Sequence, residues 1–299
     1  MMKEINNKLL INEMLVHDLI VEQFPQWQHL SIRQVLPGGW DNRTFRLGEQ
    51  LLVRMPSEAD YALQVEKEQR WLPILASHLP LQIPVPIAMG LPNNIYPWKW
   101  SVYCWLAGES AVSSTKIDLN KIAIGLAEFL MALQKIKSVD GPEPGEHSFF
   151  RGGSLNIYDA ETRNAITVLK NQIDINAATK IWETALTTHW QSLPVWVHGD
   201  VSPGNLLLQN GCLTSVIDFG QLSVGDPACD LAIAWSWFKN ESREIFRANL
   251  SLDENTWARA RAWALWKALI VCADLSGTNP LEKENSWRVL NEIFADIRI

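Results

Sequence analysis

From Leu9 to Phe24 apolar residues recur at helical spacing, with Leu10, Met14, Leu15, Ile20 and Phe24 available for one face; Pro25 ends the pattern. Three short β-like runs come next: Ser31–Leu36, Arg43–Leu47 and Leu51–Met55. Gly38-Gly39 separates the first two, and Gly48-Glu49-Gln50 turns the second into the third, so an antiparallel meander is expected. Residues 59–78 predict a helix with Leu63, Trp71, Leu72 and Leu75 on its apolar side. Pro80, Pro84, Pro86, Pro92 and Pro97 exclude a continuous helix in the next stretch. Ser101–Leu106 reads as another strand. The Ala107-Gly108 pair after it is the expected boundary between a first lobe, residues 1–106, and a second, residues 107–299.

Beyond residue 118 the period changes to 3.6: Ile122, Leu126, Phe129, Leu130, Leu133 and Ile136 share a face. Gly141-Pro142, Pro144-Gly145 and Gly152-Gly153 make residues 138–154 a loop, and a helical stretch covers about 160–190. Val195-Trp196-Val197 precedes two strands, Leu206–Gln209 and Leu213–Ile217, joined across Asn210-Gly211, a strong hairpin turn. From residue 228 the pattern is helical again. The fold class is therefore α+β: a strand-rich first lobe with one packed helix, then a mainly helical lobe with one hairpin.

Composition narrows the function. The chain has 299 residues and is 47% hydrophobic, which excludes global disorder. Its net charge of -7 argues against wrapping nucleic acid. The four cysteines, at 104, 212, 229 and 272, include no C-x-x-C pair, so neither a disulfide framework nor a zinc site is expected, and the thiols are expected to be reduced and mostly buried. The N-terminus lacks the charged-then-apolar order of a signal peptide. The most apolar stretches, 231–238 and 262–273, fall well short of the ~20 residues a membrane span needs. These features lead us to expect a cytoplasmic protein with neither a membrane nor a nucleic acid as partner.

Chemistry concentrates in one segment. His198-Gly199-Asp200-Val201-Ser202-Pro203-Gly204-Asn205 precedes the hairpin, and Ile217-Asp218-Phe219-Gly220 comes after it. A hairpin brings its ends together, so Asp200, Asn205 and Asp218 should converge. Two carboxylates and an amide oxygen form a hard-oxygen set suited to Mg²⁺. Phosphoryl transfer uses such a set: metal neutralises the phosphates, and a carboxylate not tied up by metal takes the proton of the attacking hydroxyl.

On these residues the chain resembles the aminoglycoside phosphotransferase family, which shares the protein-kinase-like fold and has choline, homoserine and macrolide kinases among its relatives. Gly225-Asp226-Pro227-Ala228-Cys229-Asp230-Leu231-Ala232 is similar to that family's G-D-P-x-x-D-L-A element. The resemblance implies that Asp200 is the catalytic base, Asn205 a metal ligand and Asp218 the main ligand of an Mg²⁺ that bridges the phosphates of ATP or GTP. It makes His198 a support beneath Asp218 and Asp230 an anchor of the catalytic loop. In the first lobe it assigns the α/β-phosphates to Arg54, where most such kinases have Lys, paired with Glu68 or else Glu66. It places a phosphate-covering loop around Gly38 and Gly39. It sets the base edge against the backbone of Trp105 and Leu106, in the connection between the lobes.

Only Gln221-Leu222-Ser223-Val224 separates Gly220 from Gly225, which leaves no room for the peptide platform of a protein kinase. The expected acceptor is a small molecule with a hydroxyl. An aminoglycoside-like antibiotic comes first, a metabolite such as choline, an amino alcohol or a sugar second, and a nucleotide-binding pseudokinase scaffold is the non-enzyme alternative. Asp159, Glu161, Glu241, Asp253 and Glu254 are the carboxylates available to a cationic acceptor. Trp235, Trp237, Phe238, Trp263 and Trp266 are the aromatics available to an apolar one, and Arg151-Gly152-Gly153 is a candidate rim loop.

Overall fold

The structure is a computed structural model that describes residues 10–36, 38, 41–276 and 280–296. The chain divides into two units. One runs to Ser77 and resumes over Ile83–Ala107; the other comprises His78–Gln82 and the chain from Gly108 onward. His78–Gln82, which the pattern had left in the first lobe, belongs to the second unit because Gln82 exchanges hydrogen bonds with the hairpin: its N–H donates to Thr214 O (3.1 Å) and its carbonyl accepts from Val216 N–H (3.0 Å).

The first unit holds α1 (Glu13–Gln23), β1 (Ile32–Gln34), β2 (Asn42–Leu47), β3 (Leu51–Pro56), α2 (Ala59–Ala76), β4 (Pro86–Gly90) and β5 (Trp100–Cys104). The strands form one antiparallel sheet in the order β1-β2-β3-β5-β4. Period-2 alternation splits its side chains between two covers. Phe45, Leu47, Val53, Met55, Trp100 and Val102 form a core with Val16, Leu19 and Ile20 of α1. Arg54, Ser101 and Tyr103 alternate with them and meet α2. Of the face expected for the first helix, Ile20 is buried in this core and Leu15 and Phe24 pack against it, but Leu10 and Met14 do not join it. Asn12 caps α1 by accepting from Leu15 N–H at 3.0 Å, so Leu10 precedes the helix, and both Leu10 and Met14 are exposed. Leu63 of α2 is likewise exposed, while Leu72 and Leu75 are buried.

α2 also buries Lys67. Burial pushes its pKa down to about 7, against the pull of neighbouring Glu68. The unfolded chain therefore binds this proton up to pH ~10 and the folded chain only up to about 7, so stability should rise with pH across that window. Lys67→Met is expected to be more stable than the wild type at pH ~7, with the advantage shrinking toward pH ~10. Urea midpoints for the two proteins that run parallel in pH would contradict this.

The second unit contains β6 (Glu109–Ser110), α3 (Leu119–Lys135), α4 (Asp159–Val168), α5 (Ile175–Leu186), β7 (Val195–Val197), β8 (Leu206–Gln209), β9 (Cys212–Val216), β10 (Ser223–Gly225), α6 (Ile233–Ser236), α7 (Asn240–Asn249), α8 (Glu254–Cys272) and α9 (Pro280–Ala295). The stretch expected as helical over 160–190 is two helices. Asp174 caps the second by accepting from Ala177 N–H. Asn210 and Gly211 both take positive φ, 52° and 79°, as a two-residue hairpin turn requires. β6 adds to the β8–β9 hairpin, and β7 pairs with β10. α8 is the central helix. From Thr256 to Cys272 only Ala258, Arg261 and Lys267 escape burial, and of these Lys267 alone is exposed. Cys229 and Cys272 are buried as expected, but Cys104 and Cys212 are exposed at strand positions open to solvent. Among the described residues no helix is long and apolar enough to cross a membrane.

Candidate active site

The second unit brings His198, Asp200, Asn205, Asp218 and Asp230 together. β7 leads straight into His198, and the Asp230 carboxylate holds the next turn by accepting from His198 N–H (2.8 Å) and Gly199 N–H (2.7 Å). Gly199 sits at φ 87°, where a Cβ would collide with the Gln221 carbonyl, so only glycine lets the loop pass this close. Burial raises the pKa of Asp230, and the two backbone N–H donors and His198 oppose the rise.

His198 joins the two ends of the hairpin. Its Nδ1 accepts from Asp200 N–H (3.2 Å), its Nε2 donates to Ile217 O (3.0 Å), and its ring packs on Phe219 at 4.4 Å between centroids. It thus fixes the residues on both sides of Asp218. Asn205 Nδ2 donates to Asp200 O (2.9 Å) and to Asp200 Oδ2 (3.1 Å), which turns its amide oxygen away from Asp200. Asn205 O accepts from Ile217 N–H at 2.9 Å, tying the start of the hairpin to its end. Asp218 holds a left-handed φ of 68°. Burial first and the charge of Asp218 second raise the Asp200 pKa; His198, Arg151 and Lys267 pull it down.

In the first unit Arg54 Nη1 lies 3.3 Å from Glu68 Oε1, and Tyr103 Oη donates to the other Glu68 oxygen. The alternative partner, Glu66, instead pairs with Lys99 at the surface. Tyr103 was not foreseen as part of this pair; its position two residues from Ser101 on β5 was the available signal. Trp105 lies under the Arg46 guanidinium at 3.9 Å, and its N–H donates to Gln50 O at 2.7 Å. With the Trp105 N–H engaged in this way, the Trp105 carbonyl and the Leu106 N–H are the backbone groups left for a base edge. Gly38 is exposed, whereas Gly39 lies outside the described residues.

The carboxylates expected to face a cationic acceptor are engaged elsewhere. Asp159 accepts from Trp182 Nε1 (2.7 Å) and Arg163 Nε (2.8 Å), Glu161 from Trp266 Nε1 (2.7 Å), and Glu241 from Asn120 Nδ2 (2.8 Å). Asp253 caps α8, and Glu254 pairs with Arg247 at 3.3 Å. Trp235 and Phe238 are core, while Trp263 and Trp266 pack on Arg151. One structural pair was missed altogether. Arg259 of α8 grips Asp226 of the G-D-P-x-x-D-L-A element through Nε (2.6 Å) and Nη2 (3.3 Å), an ion pair between residues far apart in sequence.

Residues 32–263 match the family model APH, described as "Phosphotransferase enzyme family". Comparison with curated proteins gives no match. Among solved structures, the GDP complex of wild-type aminoglycoside 2'-phosphotransferase-IIIa superposes with a TM-score of 0.72 at 18% identity, covering 96% of this chain and 99% of that one. The streptomycin-ATP-APH(2")-IIa ternary complex gives 0.59 at 20%, covering 92% and 97%. Macrolide 2'-phosphotransferase MphH from Brachybacterium faecium gives 0.59 at 20%, also covering 92% and 97%. These likenesses establish the α+β fold, with its antiparallel first sheet and helical second part. With the family match spanning well over half of the sequence, the chain belongs to the Phosphotransferase enzyme family.

Proposed function

We propose that the protein is a kinase that moves the γ-phosphoryl group of ATP or GTP to a hydroxyl of a small molecule. The convergence of Asp200, Asn205 and Asp218 about one hairpin carries this reading. Asp200 is the base: its backbone is held on both sides, by His198 and by Asn205, so its carboxylate can take the hydroxyl proton in a fixed geometry. The hydroxyl oxygen bonds to the γ-phosphorus as the bond to the leaving β-phosphate oxygen breaks, giving a phosphate monoester and a nucleoside diphosphate.

The donor set fits a divalent cation. The Asn205 amide nitrogen faces Asp200, so its oxygen is the atom presented outward, and Asp218 contributes a carboxylate close enough to raise the Asp200 pKa. Among the described residues no group of three or more His, Cys, Asp or Glu side chains could hold a metal alone, so phosphate oxygens and water would complete the shell, as Mg²⁺ prefers. Mg²⁺ bound there neutralises the charge on the phosphates. In the first unit Arg54, oriented by Glu68, binds the α/β-phosphates, and Gly38 belongs to the loop over them.

The short link after Gly220 supports a small acceptor. Ser223–Gly225 pairs with Val195–Val197 as a strand, so those residues are not available as a peptide platform. The family likeness ranks an aminoglycoside-like antibiotic first as acceptor, in which case the role is resistance. The engagement of all five candidate carboxylates favours the metabolite reading. Calorimetry tests the metal assignment. Asp218→Ala is expected to weaken Mg·ATP binding about tenfold or more while leaving metal-free nucleotide binding unchanged. Equal Mg·ATP affinity in the two proteins would remove Asp218 from that role.

A further inference from the structure

Granted the phosphotransferase reading, on which this inference rests, the second unit also bears on the charge of the acceptor. Lys267 is the exposed position on an otherwise buried stretch of α8. It makes no hydrogen bond or ion pair among the described residues. It comes directly after Trp266, whose indole N–H is fixed on Glu161 and whose ring lies 4.1 Å from that of Tyr158.

Arg151 packs against the same part of α8. Its guanidinium packs against Trp266 at 4.8 Å and Trp263 at 4.9 Å. Nη1 donates to Phe149 O (3.4 Å) and Tyr158 Oη (3.2 Å), while Nε and Nη2 make no hydrogen bond among the described residues. The backbone here is anchored to the strands that carry the catalytic loop. Ser223 Oγ donates to Arg151 O at 2.6 Å, and Asp226 N–H donates to Gly152 O at 2.8 Å. Ser223 pairs with Val197, the residue before His198. The backbone of Arg151 is thus tied to the strand that leads into the catalytic loop, and the charges of Arg151 and Lys267 both act on Asp200, lowering a pKa that burial and Asp218 raise. Lys267 stays open to solvent, yet surrounding protein lowers its own pKa and Arg151 lowers it further, against the pull of Asp200, Glu282 and Glu161.

In a chain of net charge -7, an exposed lysine and a guanidinium with an open edge, neither in an ion pair among the described residues, suit an anion. We propose that the acceptor is itself anionic, a small hydroxylated carboxylate or phosphate ester whose negative group is held by Arg151 and Lys267 while its hydroxyl faces Asp200. The free edge of the guanidinium suits two oxygens at once, and the ammonium supplies a point charge. A polycationic aminoglycoside would meet repulsion here, and the carboxylates that could attract it already bond Trp, Asn and Arg side chains.

Trp263 and Trp266 allow a tryptophan-fluorescence titration that needs no turnover. D-glycerate and glycerol 3-phosphate serve as the carboxylate and phosphate probes. Saturable binding of either is expected, weakened about tenfold or more in Lys267→Gln and restored toward the wild-type value in Lys267→Arg. Lys267 is exposed, so both variants should fold, and matched thermal melts check this. Tighter binding of one probe identifies the anion class. Equal affinity in wild type and Lys267→Gln overturns the proposal, and so does saturable binding of kanamycin or choline with none of either anion. Nucleotide hydrolysis is followed in parallel for wild type and Asp200→Asn. Anion binding without Asp200-dependent hydrolysis would defeat the phosphotransferase reading alone; the hydrolysis without anion binding would defeat this proposal alone.

Discussion

Replacing Asp200 with asparagine is expected to lower kcat by about 10²–10⁴-fold, the usual loss when a general base is removed. Nucleotide affinity should hardly change. The substitution keeps the side chain's size, and the bonds that position the residue are made by its backbone: Asp200 N–H to His198 Nδ1, and Asn205 Nδ2 to Asp200 O. The loss should therefore appear in turnover and not in KM for the nucleotide. Stability should stay level or rise. Burial and Asp218 both disfavour the charged form of Asp200, so folding works against that charge and a neutral amide relieves the conflict. A variant that kept most of its kcat would show that another group takes the proton. A variant that lost nucleotide binding would show that the change had disturbed the metal ligands.

The largest stability effect should come from a residue that touches no substrate. Arg259→Leu is expected to destabilise the protein by about 3–5 kcal/mol, the range for removing one partner of a buried ion pair. Both side chains are nearly buried, with 5% of Arg259 and 12% of Asp226 exposed. The guanidinium also donates to Thr188 Oγ1 (3.2 Å) and Thr256 Oγ1 (3.1 Å), so the substitution strands several acceptors at once. Asp226 caps the turn that presents Asp230 by accepting from Ala228 N–H at 3.0 Å, which connects this loss to the loop around Gly199. Urea unfolding measures it. Arg259→Leu combined with Asp226→Asn should recover part of the loss, because the buried charge goes with its partner. A single-variant loss under about 1 kcal/mol would mean that water reaches the pair and replaces the contact.

Local chemistry was legible in the sequence and long-range pairing was not. The Asn210-Gly211 turn is encoded by its own dihedral demands, and it placed the hairpin within one residue of its observed ends. The hairpin in turn implied that Asp200, Asn205 and Asp218 meet. β4 was hidden because prolines crowd it. It survives as an edge strand, hydrogen-bonded to β5 on one side only, where Pro86 removes no ladder bond that is needed. β6 and β10 are two and three residues long, too short to show a period. Leu10 falls before α1 because the start of the helix depends on the Asn12 cap and not on the first apolar residue. Arg151 and Lys267 could not be read as a pair at all. They are more than a hundred residues apart, and it is the turn of α8 and the anchoring of Arg151 to β10 that let both charges act on Asp200.

The central claim is Asp200-dependent transfer of a phosphoryl group to a small hydroxyl acceptor. Nucleoside diphosphate release, measured with Mg²⁺ and ATP or GTP over hydroxy acids, phosphorylated polyols, choline, aminoglycosides and macrolides, tests it most directly. We expect one acceptor class to stimulate release, with one phosphorylated acceptor formed per diphosphate, in the wild type and not in Asp200→Asn. Equal release by the two proteins, or no nucleotide turnover by either with any acceptor, would contradict the account.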